Sequence, residues 1–159
     1  YPGMEATDDQ VVFETNVFSS EFRFGGLPQL HLDVTPAGPG GSIYALMEDC
    51  SAENECIHVG HAIMDLRYHE GGTEYQNIIP GVEIRAKMEF FAMDVLIPEG
   101  HKIRLSLRDI GEDYLPPSTE AAVDIDISGN SVLRIHEINT GEKIFFEPPV
   151  CMHEDCLSE

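Results

Sequence analysis

Tryptophan is absent from the 159 residues, and lysine and arginine together number nine against 29 aspartates and glutamates, a formal net charge of −20. A surface so poor in cations repels a phosphate backbone and an anionic lipid headgroup, which excludes nucleic acid as a partner class. No apolar stretch has the length of a membrane span, and no basic segment precedes an apolar one as in a secretion signal, so no membrane insertion is expected. The first residue is Tyr1, not a methionine, and the chain reads as an excised or processed piece.

Catalytic signatures are missing as well. The nucleophile elbow G-x-S-x-G does not occur, and Ser42 in "GPGGSIY" sits in a turn that leads into a strand. Nor is there a glycine-rich phosphate loop, an H-E-x-x-H pair or an EF-hand loop. No catalytic residue is therefore assigned, and no cofactor is required.

Apolar residues make up 42% of the chain, ordinary for a globular protein, and the length suits one domain over residues 1–159. Its core is expected over about residues 11–148, with a cysteine-containing tail at 149–159. The four cysteines form two local pairs, Cys50 with Cys56 and Cys151 with Cys156, each bracketing a polar turn-like segment. Two short disulfides are the simplest expectation, and they imply an extracellular or cell-surface setting. A zinc site using His58, His61 or His153 is the competing reading, although the spacings are wider than a C-x-x-C knuckle.

The excess acid has two readings, a solvated surface or a cation-binding face. Carboxylates crowd two loops, Glu48, Asp49, Glu53 and Glu55 around the first cysteine pair, and Asp109, Glu112 and Asp113 in "RDIGEDYLPP". Hard oxygen ligands in loops are what calcium takes, so Glu48, Asp49, Asp109, Glu112 and Asp113 are the candidate metal ligands. Tyr68, Tyr75 and Tyr114 are the candidates for a carbohydrate platform, where aromatic rings lie against sugar faces. Among the histidines, His31 and His136 fall at outward strand positions and His101 in a turn. His58 and His61 would face opposite sides of a strand unless the chain bends there.

Alternation of apolar and polar residues dominates the chain. "QLHLDVTP" sets Leu30, Leu32 and Val34 on one face and His31 and Asp33 on the other, and Pro36 ends the run. "SIYALMED" and "HAIMDLRYHEGG" read as strands too. "VEIRAKMEFFAMDVLIP" alternates through Met88 and slips phase at Phe90 and Phe91, as at a bulge or corner. "HKIRLSLRD", "AAVDIDISG", "SVLRIHEIN" and "EKIFFEPP" follow. Eight to ten short strands with Gly and Pro turns predict an all-β sandwich, in particular a jelly roll. A two-layer α+β domain with a helix over residues 4–16 or 85–93 ranks behind it, because neither segment has a clean cap.

The order of these segments resembles a known family. "VVFETNVFSSEFRFGGLPQLHLDVTP", "SIYALMED", "HVGHAIMDLRYHEGG", "IIPGVEIRAKMEFFAMDVLIPEGHKIRLSL" and "GNSVLRIHEI" together resemble the C-terminal jelly-roll domain of Xaa-Pro dipeptidyl-peptidase and cocaine-esterase-like serine hydrolases, over residues 11–138. The resemblance implies a galactose-binding-like fold and a partner, the α/β-hydrolase domain of the parent chain, which carries the nucleophile, base and acid. The implied role is packing on that domain and shaping substrate access. This predicts an exposed apolar patch of several hundred Å². The alternative, a stand-alone glycan-binding or calcium-dependent module, predicts acids and aromatics gathered at one loop end.

Overall fold

The computed structural model describes residues 10–108, 125–127 and 130–138. Nine strands occur among them, β1 (Gln10–Glu14), β2 (Phe22–Pro36), β3 (Ser42–Cys50), β4 (Cys56–Asp65), β5 (Ile84–Glu89), β6 (Met93–Ile97), β7 (Lys102–Arg108), β8 (Ile125–Ile127) and β9 (Val132–Glu137). One sheet runs β1-β7-β3-β4, with every pair antiparallel. The second is built around β2, whose 15 residues pair with four shorter strands. Residues 29–31 of β2 meet both β5 and β9, so these two occupy opposite edges. β6 continues the β5 edge and β8 lies on the β9 edge, each antiparallel to β2.

The breaks in these edges have a local cause. The β2 register shifts between Gly25 and Gln29, where Gly26 takes φ 95° and Pro28 cannot donate to a ladder. Opposite this point the β5 edge opens, and the Phe90 amide donates to the Pro28 carbonyl at 2.9 Å. The phase slip expected at Phe90 and Phe91 is this corner. Phe90 is buried against the core and Phe91 points out.

Both sheets contribute to one buried cluster. Leu30, Leu32 and Val34 of β2 and Ala86 and Met88 of β5 pack with Ile43, Ala45 and Met47 of β3 and Ile103, Leu105 and Leu107 of β7. These are the inward positions of the alternating patterns, so the period of two places the core directly. The chain is an all-β, two-sheet antiparallel protein as expected. The α+β alternative is corrected, since residues 10–14 and 84–89 are strands. "HAIMDLRYHEGG" is also not strand throughout. At Leu66–Tyr68 the chain makes one 3₁₀ turn, capped by the Asp65 carboxylate, which accepts from the Arg67 amide at 2.9 Å. "EKIFFEPP" lies outside the described residues.

One ion pair between a buried aspartate and a half-exposed arginine ties the second sheet together. Asp33 on β2 receives the Arg85 guanidinium of β5 at 2.8 Å, and the same guanidinium donates to the Asn130 carbonyl before β9. The Asp33 amide donates to the Ser131 hydroxyl at 3.2 Å. Removing the arginine leaves a largely buried carboxylate without this partner. Arg85→Ala is expected to cost about 1–3 kcal/mol, read by urea unfolding.

Candidate functional site at the β4 edge and the adjoining cleft

Among the described strands β4 pairs only with β3, which leaves its other edge open. A bulge sets what this edge presents. Met47 pairs with Gly60 while Glu48 pairs with His58, so Val59 is an extra residue on β4. The expectation that His58 and His61 face opposite sides is thereby corrected, because the extra residue restores a shared face. Their rings stack with centroids 5.4 Å apart, and His61 Nδ1 lies 3.3 Å from His58 Nε2. Tyr44 of β3 stacks against His61 at 5.5 Å, and the Arg108 guanidinium covers the Tyr44 ring at 4.9 Å.

Phe91 meets the His61 ring edge-on at 6.1 Å yet is 76% exposed. Ile57, at the start of β4, is 66% exposed, and Ile63 near its end is exposed too. Phe91 and Ile63 thus lie on the His61 side of β4, while Ile57, before the bulge and in register with Asp49, faces the other side of the same open-edged strand. Val11, Val12 and Phe13 on β1 are also exposed, but they adjoin in sequence residues outside the described set. The β4 side therefore carries the functional argument.

Burial, and then the neighbouring His58 charge, push the His61 imidazole below its usual range. The unfolded chain therefore binds a proton more readily than the folded one, and stability falls as pH drops below about 6.5. Thermal unfolding between pH 7.5 and about pH 5 should show this fall. His61→Gln should reduce it, leaving the part due to His31, whose pKa is lowered too.

At the start of the same strand, Cys50 and Cys56 form the expected disulfide, with sulfurs 2.05 Å apart. Cys151, Cys156 and His153 lie outside the described residues. Breaking this short loop closure by Cys50→Ala with Cys56→Ala is expected to cost about 2 kcal/mol, measured by urea unfolding. Glu48 and the two cysteines offer ligand atoms within 4.8 Å of one another, but both sulfurs are engaged in the disulfide.

Of the acidic candidates, the two that lie among the described residues do not converge. Glu48 and Asp49 are neighbours on β3 and so face opposite sides. Asp49 is 5% exposed, and its carboxylate accepts from His101 Nδ1 at 2.7 Å. That engagement of His101 was not legible in its turn-like sequence context. Asp109, Glu112, Asp113 and Tyr114 lie outside the described residues.

Tyr68 and Tyr75 are brought together. Their rings meet edge-on with centroids 6.4 Å apart, beside a cleft of about 450 Å³ that Tyr68 helps to line. The cleft is lined by Gln29 and His31 of β2, Lys87 and Glu89 of β5, and Ile63 and Asp65 of β4. It lies along a sheet rather than at a loop end, which is where the binding-module reading expected the tyrosines to gather.

A two-sheet β-domain with exposed apolar side chains beside an open strand edge has the character of a module that works against another surface. The chain belongs to the X-Pro dipeptidyl-peptidase C-terminal non-catalytic domain family, whose model matches residues 2–135. No curated protein matches it in sequence. Among solved structures it is similar to an aminopeptidase from the marine sediment archaeon Thaumarchaeota archaeon, with a TM-score of 0.72 and 14% identity over 85% of this chain and 27% of that one. An α-amino acid ester hydrolase matches with a TM-score of 0.68 and 15% identity, over 82% of this chain and 26% of that one. A CocE/NonD family hydrolase from Staphylococcus aureus matches with a TM-score of 0.65 and 10% identity, over 81% of this chain and 30% of the other. At these identities the likeness is one of fold. The chain spans under a third of each of these proteins.

Proposed function

We propose that the chain is the non-catalytic C-terminal accessory domain of a serine hydrolase of the X-Pro dipeptidyl-peptidase or CocE/NonD kind. It packs on the α/β-hydrolase domain of its parent through the β4 edge and shapes substrate access there. The observation that carries this reading is the exposure of Phe91 against His61 of β4, a strand whose other edge is unpaired among the described residues. Large exposed apolar side chains at an open strand edge favour a protein partner, and the similar solved structures are hydrolases several times the length of this chain. The disulfide supports an extracellular or cell-surface parent.

Mixing the chain with the separately produced catalytic domain of its parent tests the reading by calorimetric titration. Saturable binding is expected, weakened at least about tenfold by Ile57→Asp. Binding that is indifferent to this substitution would remove the β4 edge from the proposal. The stand-alone glycan module is not favoured by the family to which the chain belongs.

A further inference from the structure

The cleft beside Tyr68 has a chemistry of its own, apart from docking. At about 450 Å³ it falls within the ~300–1,000 Å³ range of small-molecule sites. Its floor is the outward face of β2 and β5, where His31 pairs in register with Lys87, and Gln29 with Glu89. Its far wall is the segment after the 3₁₀ turn, including Glu70, Gly71 and Gly72.

That wall is fixed to the sheet. The Lys87 amide donates to the His69 carbonyl at 2.8 Å, and His69 Nδ1 is 2.9 Å from the Leu66 carbonyl oxygen. Gly71 takes φ 80°, and a Cβ there would stand 3.3 Å from the Lys87 carbonyl oxygen. A glycine is therefore needed for the segment to close on β5. A site held by backbone hydrogen bonds spends little binding energy on ordering itself.

The lining selects the ligand class. An anionic ligand meets Glu70 and Glu89 in a protein of formal charge −20, while a cationic one meets Lys87. Asp65 is occupied by Arg67. An apolar ligand would strip water from Gln29, His31, Lys87 and Glu89 and return no hydrogen bonds. Burial, followed by the charges of Arg134, Arg85 and Lys87, lowers the His31 pKa against the opposing pull of Asp33. A neutral imidazole offers one donor and one acceptor. Tyr68, flanked by Tyr75, adds an aromatic surface at the lip.

We propose that this cleft binds a neutral, hydroxyl-rich ligand of mono- to disaccharide size, with Tyr68 as its apolar wall and Gln29, His31, Lys87 and Glu89 as its hydrogen-bonding floor. The site shares Ile63 with the β4 edge but none of the residues substituted to test docking. Failure of one proposal therefore leaves the other standing.

The test is titration of the ¹⁵N-labelled chain with glucose, galactose, maltose and cellobiose, with glucuronate as the anionic control. Saturable amide shifts at His31, Lys87 and residues 68–72 are expected with at least one neutral sugar. Tyr68→Ala should weaken that binding about tenfold, or about 1.4 kcal/mol, and Tyr68→Phe should retain it. Three results would overturn the proposal: no saturable shift with any neutral sugar, glucuronate binding as tightly, or unchanged binding in Tyr68→Ala. A matching ¹⁵N spectrum outside the cleft confirms that each variant is folded.

Discussion

Phe24→Ala is expected to lower the unfolding free energy by about 3–5 kcal/mol, a large share of the stability of a domain this size. Phe24 is fully buried on β2, the strand on which the second sheet is built. It pairs with Val95 of β6 on one side and Glu137 of β9 on the other. Its ring contacts Phe22, which stacks on Phe18 with centroids 4.6 Å apart. With ladders on both edges, the backbone has little freedom to collapse into the space left by the ring, so the cavity cost adds to the transfer cost. Urea unfolding should show a lower midpoint at an unchanged slope. Val12→Ala, on the exposed part of edge strand β1, should stay within about 0.5 kcal/mol of the parent sequence.

Phe91→Asp should do the reverse. The side chain is 76% exposed and its described ring contact is the edge of His61, so the isolated chain should lose less than about 1 kcal/mol. On the proposed docking, the same substitution would set a carboxylate against the catalytic domain. A central aromatic anchor contributes about 2 kcal/mol or more to an interface, so association of the separated domains should weaken at least about thirtyfold. Loss of docking with stability retained distinguishes an interface residue from a core residue. Phe24→Ala should give the opposite signature.

The two-sheet architecture was readable because period-two alternation survives in β2, β3, β5 and β7, and the inward sets of those strands are the buried ones. The corner at Phe90 and Phe91 was legible as a phase slip. What the slip could not tell was which phenylalanine turns outward, since that depends on Pro28 across the sheet. The His58 and His61 pair was misread because a bulge of one residue inverts every face assignment beyond it. Nothing in "HVGHAIMD" announces an extra residue, apart from a glycine where Met93 and Phe90 approach closely.

The acidic loop shows a second limit. Glu48 and Asp49 looked like joint ligands because they are adjacent, but on a strand adjacency means separation. Asp49 found a histidine 52 residues away, a pairing that only the fold creates. Tyr68 and Tyr75 are the contrasting case. They lie seven residues apart with Gly71 and Gly72 between, and the Gln76 amide donates to the Arg67 carbonyl at 2.7 Å, so local chain reversal brings them into contact.

Hydrogen exchange, compared between the intact parent protein and this chain alone, tests the docking of the β4 edge most directly. Amides of β4 and of residues 90–92 should exchange at least about tenfold more slowly in the parent, because a docked surface must open before it exchanges. The core strands β2 and β3 should change little. Equal exchange at β4 and residues 90–92 in both proteins, with protection gained on another face or nowhere, would contradict the assignment of this edge as the surface that meets the catalytic domain.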